Sequence, residues 1–150
     1  MSNNVNAARD DYEPLYLAGV VLFNAREFFD AHEVLEDLWN ECAQPDRRFY
    51  QAVLQAAVAL YHFGNGNLRG SVKLFKSARA YMDPYPEVHL GLDRLAFWKQ
   101  MDVCFAPVFA EGVDLTRRDL QPEDVAIPTI ELDPPPVAWP DPHDFLHDDE

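Results

Sequence analysis

Apolar residues along this chain recur at helical spacing, and two of the helical stretches carry polar residues inside the apolar arc. From Phe28 to Trp39, residues Phe28, Phe29, Ala31, Val34, Leu35, Leu38 and Trp39 cover one broad arc at ~100° per residue, and His32 and Glu36 fall within it. From Tyr50 to Tyr61 the chain is apolar on every side except a stripe formed by Arg48, Gln51, Gln55 and His62. A helix that is apolar all round is a buried one, and buried polar groups find partners. The pattern predicts a polar site inside a helical body.

The punctuation between stretches sets the expected elements. A first helix spans Glu13 to Phe23, with Asn24 as its break because Asn tolerates the left-handed conformation. A second spans Arg26 to Glu41 and stops at Gln44-Pro45-Asp46, where Asp46 is placed to cap the next helix. A third runs from Arg47 to about Phe63 and ends at Gly64-Asn65-Gly66; a fourth runs from Asn67 to Met82, ahead of Asp83-Pro84-Tyr85-Pro86. A fifth is expected from Val88 to about Phe109, with Pro107 disturbing its last turn. No stretch alternates like a strand. Asn24 to Glu36 and Gly64 to Lys76 form a weak internal repeat, each a turn followed by an apolar helix, which favours TPR-like helical hairpins. The fold class is therefore all-α: a small bundle of about five helices.

Charge divides the chain in two. Of a net −14, residues 111–150 carry −10, from twelve Asp/Glu and two Arg. The same stretch holds seven of the twelve prolines, including Pro134-Pro135-Pro136. Residues 1–110 thus read as the helical domain, and residues 111–150 as an acidic, Pro-rich tail, extended or disordered. Its Ile127, Ile130, Val137 and Trp139 leave room for it to lie in a groove of its own domain or a neighbour's. The acidity argues against nucleic acid as a partner and against an anionic membrane surface. The apolar run Leu15 to Phe23 is far short of the ~20 residues a bilayer needs. Met1 to Asp11 lacks a signal segment, and Cys42 and Cys104 show no metal or redox spacing, so a cytoplasmic location is expected.

If the second and third helices pair as an antiparallel hairpin, Glu36 falls level with Gln51 or Ala52, and His32 with Gln55. Arg48 lies one turn nearer the loop, and His62 lies ~10 Å further along the axis. One reading is a hydrogen-bond network, Glu36 with Arg48 and Gln51 and His32 with Gln55, that fixes the register. Another is a metal site: His32 and Glu36 at i, i+4 project together, and His62 would complete two histidines and a carboxylate, a set suited to iron or zinc. Glu33 or Glu36 would then take the proton of a metal-bound water. A third is an anion or small-molecule pocket with Arg48 and His62 as donors. His32-Glu33-Val34-Leu35-Glu36 is not the zinc-protease motif, which requires a histidine where Glu36 stands.

Phe23-Asn24-Ala25-Arg26-Glu27-Phe28-Phe29-Asp30-Ala31-His32-Glu33-Val34-Leu35-Glu36-Asp37-Leu38-Trp39 resembles the signature of the domain of unknown function 309 family. So does Arg48-Phe49-Tyr50-Gln51-Ala52-Val53-Leu54-Gln55-Ala56-Ala57-Val58-Ala59, followed by His62 and Gly66-Asn67-Leu68-Arg69-Gly70. The resemblance covers about residues 13–82. It implies a small helical protein, and the family has carried the label of predicted metal-dependent hydrolase. The family motif usually has Gly at the positions of Arg26 and Ala52. At Arg26 either the turn conformation differs or a strained residue is tolerated.

Two functions follow as expectations. The first is a metal-dependent hydrolase, with His32, Glu36 and His62 as ligands of a divalent zinc or iron ion. Glu33 is then the candidate base, and Arg48, Gln51 and Gln55 are supporting or substrate contacts. The second is a non-catalytic helical interaction module, a homodimer or the binder of a protein partner, in which those residues form a structural network. Arg69, Lys73 and Lys76 share a face that reads as solvated, with docking of acidic groups as the sharper alternative. His143 and His147 lie beside Asp141, Asp144, Asp148 and Asp149; exposed His/Asp tails hold metal loosely and nonspecifically, so no role is assigned to them.

Overall fold

A computed structural model describes residues 7–147; the start of the polar N-terminus (residues 1–6) and the acidic end, Asp148, Asp149 and Glu150, lie outside the described residues. Five α-helices account for most of the regular structure: α1 (Pro14–Asn24), α2 (Phe28–Glu41), α3 (Arg47–Gly64), α4 (Leu68–Met82) and α5 (Arg94–Phe105). Each of the first three packs against the next. The all-helical body read from the sequence is the one observed.

α1 is the helix most enclosed by its neighbours. Tyr16, Leu17, Ala18, Gly19, Val20, Leu22 and Phe23 are all buried, so it is apolar on nearly every side because it has neighbours on nearly every side. α5 closes the bundle through aromatic rings. Phe97 meets Phe23 at 5.9 Å, Phe105 meets Phe63 at 5.1 Å, and Trp98 meets Phe75 edge-on at 5.3 Å. The buried Trp98 indole N–H donates to Met82 Sδ at 3.2 Å.

The turns leaving α1 and α3 share one hydrogen-bond pattern. In the first, the N–H groups of Ala25, Arg26 and Glu27 donate to the carbonyls of Val21, Phe23 and Leu22. In the second, Asn65, Gly66 and Asn67 donate to Tyr61, Phe63 and His62. The internal repeat is therefore a repeat of backbone geometry. Its left-handed residue is Arg26 (φ 65) in one copy and Gly66 (φ 76) in the other. Asn24, expected to supply that conformation, is instead the last helical residue. Nor does the Asp46 side chain cap α3; its carboxylate meets His89 Nε2 at 2.8 Å. α4 and α5 do have side-chain caps: Asn67 Oδ1 accepts from Gly70 N, and Asp93 Oδ1 from Ala96 N.

The expected fifth helix starts later than its sequence pattern indicates. Residues 88–93 form a two-stranded hairpin, β1 (Val88–His89) against β2 (Leu92–Asp93), with Leu90 (φ 48) and Gly91 (φ 78) at its tip. Two positive φ values in succession are the signature of the tight turn that matches strand twist. Strands of two residues are too short to show alternation, so the pattern of a helix ran through them.

The tail is extended and lies along the body. Pro128, Ile130, Leu132 and Pro136 are buried while Thr129, Glu131 and Asp133 face outward. Past it, a short 3₁₀ turn (Pro142–Phe145) packs on α1. Asp37 of α2 meets His147 at 2.7 Å.

Candidate functional site

α2 turns a narrow stripe inward: Ala31, Val34, Leu35 and Leu38 are buried against α1 and α3. His32 and Glu36 occupy the flank of that stripe, not its centre. The His32 side chain is 24% exposed and that of Glu36 is 51% exposed, with Nε2 and Oε1 3.6 Å apart. That separation is an i, i+4 ion-pair contact and too long for a hydrogen bond. The inward orientation expected for Glu36 is thus corrected, and the reason lies on the same flank. Phe29, one turn before His32, is 48% exposed, so the apolar arc read from the sequence extends past the buried edge of the helix.

α3 places the remaining residues. Gln51 and Gln55 are half-buried, and Arg48 is exposed with its guanidinium over the Tyr81 ring of α4 at 5.2 Å. The expected pairs do not form: among the described residues, no hydrogen bond joins Glu36 to Arg48 or Gln51, or His32 to Gln55. His32 Nδ1 and Gln55 Oε1 are both enclosed by protein and have no hydrogen-bond partner among the described residues. Two buried polar atoms without partners are costly, and they flank the α2–α3 seam.

His62 belongs to the second turn. Its Nδ1 faces the Asn67 side-chain amide at 3.4 Å, and because Asn67 Oδ1 is already used at Gly70 N, the amide NH₂ is the donor. Burial lowers the His62 pKa below its usual value, in keeping with a neutral, accepting ring. Among the described residues, no group of three or more His, Cys, Asp and Glu side chains converges as a metal site would require. His32, Glu36 and His62 therefore do not form the three-ligand set the sequence suggested. Glu33 is half-buried on α2, next to that pair in sequence.

Two aromatic rings complete the surface. Phe29 contacts the His32 ring at 5.4 Å and the Tyr61 ring of α3 at 5.4 Å, and Tyr61 is 38% exposed. Both belong to apolar helical patterns, and only the absence of a covering element distinguishes them from core. Periodicity cannot show that. The His89–Asp46 pair was also missed, since Asp46 has an ordinary capping context in the sequence.

The two cysteines are free thiols, and burial raises the Cys104 pKa to about 11, so Cys104 is not a nucleophile near neutral pH. Arg69, Lys73 and Lys76 are exposed on α4, with Lys76 over the Phe109 ring at 6.0 Å. No helix among the described residues is long and apolar enough to cross a membrane.

Residues 16–74 match the model of a family described as Domain of unknown function (DUF309). The chain is 37% identical over 86 residues to the uncharacterized protein YpuF of Bacillus subtilis (strain 168), a match covering 55% of this chain and 49% of that protein. It is 29% identical over 72 residues to an uncharacterized protein of Aquifex aeolicus (strain VF5), covering 47% of this chain and 22% of that one. The chain thus spans about half the length of the first relative and about a fifth of the second. The resemblance read from the motifs stands over the stretch that holds α2, α3 and both repeated turns.

Proposed function

We propose that this chain is a non-catalytic helical interaction module whose contact surface is the open edge of the α2–α3 hairpin. What supports this is one observation: His32 and Glu36 sit on an outer flank beside the half-exposed rings of Phe29 and Tyr61. Exposed aromatic rings beside unused hydrogen-bonding groups are the composition of a protein–protein contact. α2 adds Glu33 and Glu36, each within ~40° of Phe29 around the helix. The surface is acidic and aromatic, and suits a partner segment bearing Lys or Arg with an apolar flank.

The metal-dependent hydrolase is the competing reading. The i, i+4 pair favours it, because two donors on one helix face can hold an ion in part, but a catalytic site with three protein ligands needs a third group there. Elemental analysis of tag-free protein tests the choice. The interaction reading expects sub-stoichiometric metal, and Glu36→Gln and Glu36→Leu variants that both stay within about 0.5 kcal/mol of wild type in stability, as for surface positions. Stoichiometric zinc, iron or manganese that is lost in His32→Ala would overturn it. Alongside this, a photo-crosslinker at position 29 should capture a defined protein in a manner abolished by Tyr61→Ser, whereas one at the fully exposed Val125 should not.

A further inference from the structure

From Thr129 to Pro134 the tail's hydrogen bonds to the body run through its backbone. The Gln100 carboxamide of α5 takes both main-chain groups of Thr129, donating to its carbonyl and accepting from its N–H at 3.0 Å each. The Asn24 carboxamide at the end of α1 does the same for the next residue, donating to Ile130 O at 2.8 Å and accepting from Ile130 N at 2.7 Å. Further on, Asp133 N donates to Gly91 O at 2.9 Å, and the Tyr12 hydroxyl donates to Pro134 O. Two side-chain amides that each grip one residue by both its N–H and its C=O imitate the edge of a sheet. A recognition mode of this kind takes affinity from main-chain bonds and specificity from pockets under alternate side chains. Here the pockets hold Ile130 and Leu132, each about 5% exposed or less.

Arg26 joins the same device. It tolerates a left-handed backbone in the first turn, and its guanidinium reaches the tail, donating to Asp124 O at 2.9 Å and to Asp124 Oδ1 at 3.2 Å.

We infer that the groove between the end of α1, the 88–93 hairpin and α5 is a peptide-binding site for extended segments with apolar residues at alternate positions. Residues 128–137 are its tethered, displaceable occupant. The contacts demand little of the occupant's sequence beyond the two apolar side chains and a free N–H at each clamped residue. A tethered segment competes at an effective concentration of order mM, so the intact chain keeps the site closed to weak competitors.

The test keeps the full chain and lets it fold before the tether is cut. A specific protease site is inserted at the exposed Glu111-Gly112 position, where Gly112 has open space around it. After cleavage, a fluorescently labelled peptide of residues 122–140 is added, and binding is followed by anisotropy while circular dichroism monitors the helices. Saturable exchange of the cleaved tail for the labelled peptide is expected, with helicity unchanged. Uncut protein should bind the peptide at least 100-fold more weakly. Asn24→Ala or Gln100→Ala should each weaken binding about tenfold, as expected for two lost hydrogen bonds, and a peptide with Ile130→Asp and Leu132→Asp should not bind. Equal binding of that doubly substituted peptide overturns the inference. So does a cleaved tail that never exchanges, or a loss of helicity when it leaves, since either makes the tail a fixed part of the fold.

Discussion

The turn that links α1 to α2 and the turn that links α3 to α4 share one pattern of three hydrogen bonds and a left-handed residue at the same position, yet they answer to different constraints. At Gly66 a Cβ would lie 2.9 Å from the Arg118 carbonyl oxygen, so backbone conformation and crowding both require glycine. At Arg26 nothing crowds the side chain, which leads out to Asp124. The Arg26–Asp124 ion pair is exposed and worth little as electrostatics; what it supplies is position. One turn is fixed by the chain that passes over it. The other accepts strain and uses the side chain to fasten a distant segment.

The largest expected effect comes from making the two turns alike at the crowded one. Gly66→Ala should lose about 1–3 kcal/mol, the usual cost of a non-glycine residue held in such a conformation, read as a lower denaturant midpoint. If it melts like wild type, the crowding argument fails. The reverse change, Arg26→Gly, should leave global stability within about 1 kcal/mol, because relief of backbone strain is offset by the greater freedom of glycine in the unfolded chain. Hydrogen exchange at residues 124–127 should nevertheless speed up. Unchanged exchange there would remove Arg26 from the tail's anchorage. The smallest effect concerns the residues that open each turn, Leu22 and His62. The His62 pKa is lower folded than unfolded, so between the two values the unfolded state binds more protons. The stability this residue protects is intact above about 6.5 and is lost as pH falls through that value toward the lower folded one. His62→Leu, which copies the first turn, should flatten that slope in a pH series of melting temperatures.

Helices α1 to α4 were legible because each is long enough for a 3.6-residue pattern to repeat and each is closed by Pro, Gly or Asn. The 88–93 hairpin was not, since strands of two residues leave no period to read. The candidate site was legible in its members and not in its orientation. His32 and Glu36 do share a helix face, but whether the flank of an arc is covered depends on the neighbouring helix, and none covers Phe29. Counting residues placed Gln55 beside His32 along the seam; it could not show that neither side chain would turn to meet the other. The Asn24 and Gln100 clamps were illegible for a similar reason. An amide near a helix end looks like a cap or a solvated residue until a distant segment lies against it.

Arg9 and Pro136 lie side by side, with Arg9 N donating to Pro135 O at 2.8 Å and Val137 N donating to Arg9 O at 3.0 Å. A load applied near residue 147 and resisted near residue 9 would meet the His147–Asp37 contact and the 142–145 turn on α1 first, then those two bonds, and only then the Tyr12, Asn24 and Gln100 contacts further back along the tail. The segment would peel one attachment at a time, as a zip opens, and the bundle would bear the full tension only after it had come away. Stretching single molecules between those points should thus give a low-force lengthening of the tail that precedes, and is separate from, rupture of the bundle.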